Sequence, residues 1–506
     1  MQRKTVHSKS GKNRGMANEF LLPALLLVAC LGLLWGCAPD GVETAAQPQR
    51  LTVELDLRGE TLPSLDALIS QQGLTRLDLR GHEISEETFL ALSEGLPSCE
   101  ILWSVPLGGA LYDCTLKSLT CDSLTEKDIG LLAYFPSLTM LDARGSQCYE
   151  ALSAFATLHS ECEVLWTVPV CGQAVDNTDA WLDLGAREDI DAEKLTAQLA
   201  CLPSLTDVNL VGSALTNREK AALHIAYPDI RFYWTVDFPE AQYRSTDERL
   251  DFTVVNFEGI EDLATVVQCF MNPVWVDVST HGFESSEMEQ LCAQFPDTRF
   301  VWVVRVGKYA LRTDAKVFYG RSSGGDRLLR DEDIEPLRYC TELEALNLSR
   351  QALTDLSPLS GLVNLRVLVI SQNDIADLSP ISGLKNLVYL EAYRNKIADL
   401  RPLADLPALL DLNLSYNEIS DASPILGNAQ LERLWLSRNA LAEDDVQQEK
   451  LRLALPSAEL EFAATNMNLG WANHDRYFAV KTIWSTNQMQ ELSAEEEAEA
   501  QQRVSP

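Results

Sequence analysis

The chain has 506 residues, enough for two or three ordinary domains or for one long repeat array. Its 41 basic and 74 acidic side chains leave a formal net charge of −33, which repels phosphate backbones and argues against a nucleic-acid partner. Apolar content of 46% is ordinary for a globular protein, so the acidity is read as a surface property that keeps the molecule soluble.

Residues 1–36 read as a secretory leader. A basic stretch (Arg3, Lys4, Lys9, Lys12, Arg14) precedes an apolar run from Phe20 to Trp35, which is the order of a signal peptide. The ending Leu34-Trp35-Gly36-Cys37 resembles a bacterial lipoprotein signal, with leucine three before the cysteine and a small residue just before it. That resemblance implies cleavage before Cys37, lipidation of Cys37, and a mature protein held on the outer face of the bacterial cytoplasmic membrane or cell envelope. Several acyl chains at roughly 0.8 kcal/mol per buried CH₂ would hold it firmly. The alternative is an uncleaved membrane anchor, for which an apolar run interrupted by Pro23 is short of the usual span of about 20 residues. Residues 37–50, rich in Pro, Gly, Gln and Ala, read as the lipidated cysteine and a flexible tether.

From 51 to 340 a long, loose unit recurs. LTRLDLRG at 74, LTMLDARG at 138, LTDVNLVG at 205 and the weaker PVWVDVST at 273 mark it. A second strand-like string travels with each and carries Trp103, Trp166, Trp234 or Trp302. Between the two strings lies a helical stretch such as ISEETFLALSEGLP, whose Ser85 and Thr88 approach a capping box. A third apolar string, for example Trp181-Leu182-Asp183-Leu184, follows each tryptophan too closely for a full coil; a cramped coil and a hairpin both remain open.

From 341 to 441 the period tightens to 22 residues. Asn373, Asn395, Asn417 and Asn439 recur at that interval, as do Pro358, Pro380, Pro402 and Pro424, and Asp355, Asp377, Asp399 and Asp421. The leucines of L-x-x-L-x-L alternate along a short strand and fill one face, which a single coil cannot bury but stacked coils can. An asparagine at the following turn can satisfy backbone N–H and C=O groups that a parallel ladder misses. Gln351 replaces the first asparagine and leaves the ladder imperfect there. The pattern resembles the internalin-type leucine-rich repeat, and the long units resemble divergent, helix-bearing repeats of bacterial surface lipoproteins. The fold expected is α/β: a leucine-rich-repeat solenoid with a curved parallel sheet and with helices and irregular returns on its convex side.

Residues 442–484 hold a last helix and strand, then NLGWANHDRYFAVKTIW, expected to cap the open end of the last coil. Residues 485–506 read as an acidic, disordered tail.

The chemistry of a catalyst is missing. No H-E-x-x-H, G-x-S-x-G or P-loop occurs, and Ser322-Ser323-Gly324-Gly325-Asp326 reads as a loop at the junction of the two arrays. The cysteines lack C-x-x-C or zinc spacing, so neither a metal nor a cofactor is expected. They read mostly as small buried residues, with Cys114 and Cys121 the pair most open to a local disulfide. His224 reads as a packing residue and His474 as a structural hydrogen-bonder.

Leucine-rich repeats present outward strand residues on a concave face. Here those columns are Ala345, Val367, Tyr389, Asp411, Arg433 and Asn347, Val369, Glu391, Asn413, Trp435, with a serine-rich third flanked by Arg350, Gln372, Arg394, Tyr416 and Arg438. Aromatic and arginine side chains dominate binding hot spots, so the expected patch is Tyr389, Tyr393, Arg394, Tyr416, Trp435 and Arg438. The function expected is a non-catalytic, surface-anchored, monomeric interaction module taking a protein or glycan ligand, in adhesion or ligand capture. The alternatives are an envelope scaffold without a ligand and a non-catalytic subunit of an envelope enzyme complex.

Overall fold

In the computed structural model the described residues are 53–71, 73–322, 328–463, 470–493 and 496. The leader, Cys37, the tether, most of the 322–326 loop and most of the acidic tail lie outside them. The chain forms two compact units, Met1–Val105 with Leu111–Cys114 and Pro106–Ala110 with Thr115–Pro506.

In the first unit Val53–Asp56, Leu74–Asp78 and Glu100–Leu102 form a three-stranded parallel sheet. The helix Glu86–Gly95 returns the chain between the last two strands, its first turn capped by Ser85, whose hydroxyl accepts from Thr88 N at 3.2 Å. Trp103 is buried and stacks on Phe89, ring centroids 4.4 Å apart.

The second unit repeats that plan three times before the short coils begin. Its three-stranded parallel sheets are Ser118–Thr120 with Met140–Asp142 and Glu163–Leu165, Trp181–Asp183 with Asp207–Asn209 and Arg231–Tyr233, and Arg249–Asp251 with Trp275–Asp277 and Arg299–Val301. An antiparallel hairpin follows each sheet, as Thr167–Val170 pairs with Gln173–Asp176. The turn there, Cys171-Gly172, has positive φ at both residues, which suits the twist of a two-residue hairpin. Both open readings of the third string therefore hold a part: the hairpin uses up the short spacing, and the string itself opens the next sheet. One residue locks each junction. Asn177, Ser245 and Thr313 donate from their backbone N to the oxygen of Trp166, Trp234 and Trp302 (2.9–3.0 Å), while their side chains accept from the same tryptophan's backbone N (3.0–3.2 Å).

The short coils form one seven-stranded parallel sheet: β1 (Val317–Tyr319), β2 (Ala345–Asn347), β3 (Val367–Val369), β4 (Tyr389–Glu391), β5 (Asp411–Asn413), β6 (Arg433–Trp435) and β7 (Glu459–Glu461). This is the leucine-rich-repeat solenoid. Leu346, Leu368, Leu390, Leu412 and Leu434 pair in register and are wholly buried beneath the sheet. The four coils between β2 and β6 return through 3₁₀ turns with proline at one of the first two positions, as in Ser379–Ile381, where Asp377 accepts from Ser379 N at 2.8 Å.

The asparagines form a ladder. Asn395 donates to Ile370 O and Ala392 O, both at 3.0 Å, and accepts from Ile375 N at 3.1 Å. Asn373, Asn417 and Asn439 repeat the pattern. Gln351 is no gap: its longer arm donates to Gly320 O at 2.6 Å and accepts from Leu329 N at 2.7 Å. The described cysteines are free thiols, Cys114 and Cys121 included, and both of these are buried. His224 Nδ1 lies 2.8 Å from Gln268 O.

Candidate functional site

The strand register sets out the expected concave columns. Ala345, Val367, Tyr389, Asp411, Arg433 and Glu459 stand side by side, as do Asn347, Val369, Glu391, Asn413, Trp435 and Glu461. The segment expected over the end of the last coil lies across this face instead. We call residues 470–493 the strap; it contains the helix α1 (Asp475–Thr486). Its Trp471, Val480, Ile483 and Leu492 share one buried apolar cluster with Val317, Ala345, Val367, Val369, Tyr389 and Trp435. Outward apolar residues on adjacent strands are as much in need of cover as inward ones, and Trp471, Val480, Ile483 and Leu492 supply it.

Two polar clusters fix the strap. Trp471 Nε1 donates to Tyr389 Oη at 2.7 Å and to Glu391 Oε2 at 3.1 Å, and Tyr389 Oη donates to that carboxylate at 2.7 Å. Burial pushes the Glu391 carboxyl above its ordinary value and also raises the Tyr389 phenol, which stays a donor at neutral pH. Beside it, wholly buried Asp411 accepts from Arg433 Nε at 3.0 Å, and also from Arg433 Nη2 and Arg476 Nη1. Arg433 further donates to Trp471 O at 3.1 Å and lies 4.1 Å from the centre of that ring. Arg476 Nε donates to Leu492 O at 2.6 Å. Gly470, at φ +98°, passes so close to Trp435 that a Cβ there would fall 2.9 Å from the ring. His474 caps α1, its Nδ1 accepting from Arg476 N at 3.2 Å. The acidic tail begins later than 485, since α1 runs to Thr486, Leu492 is buried and Glu496 accepts from Arg366.

The six residues of the expected patch therefore fall in three places. Tyr389 and Trp435 are 0% and 2% exposed under Trp471 and are not available to a partner in this state. Tyr393 is half-buried at the edge of the strap, its hydroxyl accepting from Gln372 Nε2 at 2.6 Å. Arg394, Tyr416 and Arg438 belong to a stripe beside the concave face, not on it. That stripe, Arg350, Gln372, Arg394, Tyr416 and Arg438, holds one residue per coil at φ between 53° and 62°. The left-handed turn directs four of these backbone N–H groups onto the next coil's carbonyls, as in Arg394 N to Ser415 O at 2.9 Å. Arg394 and Arg438 lie 5.2 and 6.0 Å from the ring centre of Tyr416.

Sequence reasoning missed Asp411, Arg433, Trp471 and Arg476 as a unit. One signal was present: an acid and a base at successive positions of one concave column are neighbours by the parallel register.

Between α1 and the ends of β1–β4 lies a groove of about 430 Å³, lined by side chains that include Tyr319, Arg321, Arg350, Tyr393, Tyr477, Lys481 and Trp484, with Glu391 at one wall. Tyr319 and Trp484 stack across it, ring centroids 5.7 Å apart. Burial raises the phenols of Tyr393 and Tyr477, so both remain donors at neutral pH. Among the described residues no group of three His, Cys, Asp or Glu is placed to hold a metal ion, and no helix is long and apolar enough to cross a membrane.

Residues 363–406 match the family model described as leucine rich repeats (2 copies). Among solved structures the chain is similar to internalin C2 of Listeria monocytogenes, with 19% identity over 55% of this chain and 89% of that one and a TM-score of 0.19. It is similar to a second internalin of that organism at 16% identity, covering 68% and 84%, TM-score 0.24. A leucine-rich-repeat protein of Leptospira interrogans is also similar at 16% identity, covering 81% and 95%, TM-score 0.26. No curated protein matches the chain. The fold assignment stands on the strand register and the asparagine ladder, with the family match inside them.

Proposed function

We propose that this protein is a non-catalytic binding module, monomeric, displayed outside the cytoplasmic membrane through a lipid on Cys37, and that it takes a protein or glycan ligand. The observation that carries the reading is the stripe beside the strap. Arg394 and Arg438 are exposed, they flank a half-exposed Tyr416, and neither guanidinium is in an ion pair among the described residues. On a chain of net charge −33 such cations are conspicuous, and arginine with tyrosine is the composition of interface hot spots. The stripe sits on rigid coils, which keeps the ordering cost of binding low.

The test is capture by the purified full-length protein from envelope extracts and from host surface proteins, with a triple variant Arg394→Gln, Tyr416→Gln and Arg438→Gln beside it. Glutamine is chosen because Gln372 already occupies the same left-handed position. Saturable capture that the triple variant loses, at an unchanged melting temperature, supports the reading. Equal capture by both proteins removes the stripe. The covered concave face favours one second reading, an envelope scaffold without a ligand, for which neither protein captures anything saturably.

A further inference from the structure

We infer that the groove between α1 and β1–β4 is a binding site for an acidic saccharide, one or two sugar rings carrying a carboxylate. The groove exists only because the strap is docked: one wall is strand and coil, with Tyr319, Arg321, Arg350 and Tyr393, and the other is helix, with Tyr477, Lys481 and Trp484. Its volume of about 430 Å³ lies in the ordinary range for small-ligand sites, roughly 300–1,000 Å³.

Three observations select the ligand class. Arg321, Arg350 and Lys481 converge on the groove without a carboxylate in ion-pair contact among the described residues, and all three are exposed. Glu391 is the one acid among the described lining residues, and its carboxylate is already held by Tyr389 and Trp471. The cations therefore outnumber the acid and leave an anion-accepting field, with the planar guanidiniums suited to a carboxylate. Secondly, of the lining residues only Val369 and Val480 lack a hydrogen-bonding side chain. That density of polar groups matches a ring bearing a hydroxyl on most carbons. An acidic peptide would instead need apolar side-chain pockets, which this lining does not offer, and β2–β4 are paired on both sides. Thirdly, tyrosine and tryptophan supply flat, amphipathic walls for the less polar face of a sugar.

The inference deepens the binding reading above and can fail separately from it, because the stripe variant leaves Arg350 and Lys481 in place. Saturation-transfer NMR and titration calorimetry on the full-length protein would use digalacturonic acid and N-acetylneuraminic acid as probes. Glucose, citrate and a hexaglutamate peptide serve as comparisons. The expected result is saturation of the ring protons of at least one acidic sugar, with glucose at least tenfold weaker. In Arg350→Gln with Lys481→Gln the affinity should fall at least tenfold while the melting temperature holds. No transfer to either acidic sugar overturns the assignment. So does binding of citrate or hexaglutamate as tight as that of the sugars, and so does an affinity that the double variant leaves unchanged.

Discussion

Replacing Asp411 by asparagine is the most direct trial of the strap. The Asp411 carboxylate is wholly buried and serves two guanidiniums, Arg433 from the coils and Arg476 from α1. Without its charge those cations keep as counter-ion, among the described residues, only Glu432, whose side chain is 52% exposed and bonds Arg476 alone, at 2.7 Å. Breaking a buried pair by removing one partner costs about 3–5 kcal/mol, because the stranded charge stays desolvated. The chain can avoid most of that by releasing the strap, since Arg433 is covered by Trp471 and would regain water. The cost therefore falls on strap docking and not on the coil stack, whose leucines face the other way. Opening should become more frequent by a factor between about a hundred and a few thousand, at 1.4 kcal/mol per tenfold. Hydrogen exchange read by mass spectrometry on residues 475–487 measures this directly, with the β2–β6 amides as the internal reference. A rise below tenfold in the α1 amides, or equal loosening of the strands, would refute the reasoning. The apolar triple change Asp411→Leu, Arg433→Met and Arg476→Met should keep the strap docked, because it removes the desolvation cost with the attraction.

Other outcomes follow from the same geometry. Burial raises the Glu391 carboxyl above its ordinary 4.5, so its protonated form is favoured in the folded state. Its contribution is full below 4.5 and is lost as pH rises through the raised value, a slope that Glu391→Gln should abolish in urea titrations run at a series of pH values. Asn395→Ala strands Ile375 N and takes one of two donors from Ile370 O and Ala392 O, which Asn373 and Asn417 still serve, and should cost about 1–3 kcal/mol in urea unfolding, the penalty of one unsatisfied buried donor. Asn395→Gln should recover part of it, as Gln351 does in its own coil. Burial pushes the Cys269 and Cys340 thiols up to about 12, so iodoacetamide at pH 8 should leave both unlabelled in the native protein and label both in urea. Cys37→Ser should abolish incorporation of labelled palmitate in growing bacteria.

The amino-acid sequence by itself determined the coils. A repeat of 22 residues makes every inter-coil contact the same contact, so Leu390 must lie beside Leu412 and Asn395 must reach the turn before it, and the strand columns could be written down in register. Even the hairpins were half legible, in a spacing too short for a coil. Only the tertiary structure decided where the last stretch goes. Arg476 meets Asp411 across 65 residues and Trp471 meets Tyr389 across 82, and no period connects such positions. Trp471, Val480 and Ile483 in this stretch say that it will be covered, not by what, and an open last coil was as suitable a neighbour as the concave face. The strap settles on Tyr389, Trp435 and the Asp411–Arg433 pair, outward aromatic and charged groups that are costly when exposed or unpaired. For the same reason the residues most suited to a hot spot were spent on the protein's own strap, while Arg394, Tyr416 and Arg438 remained outside it.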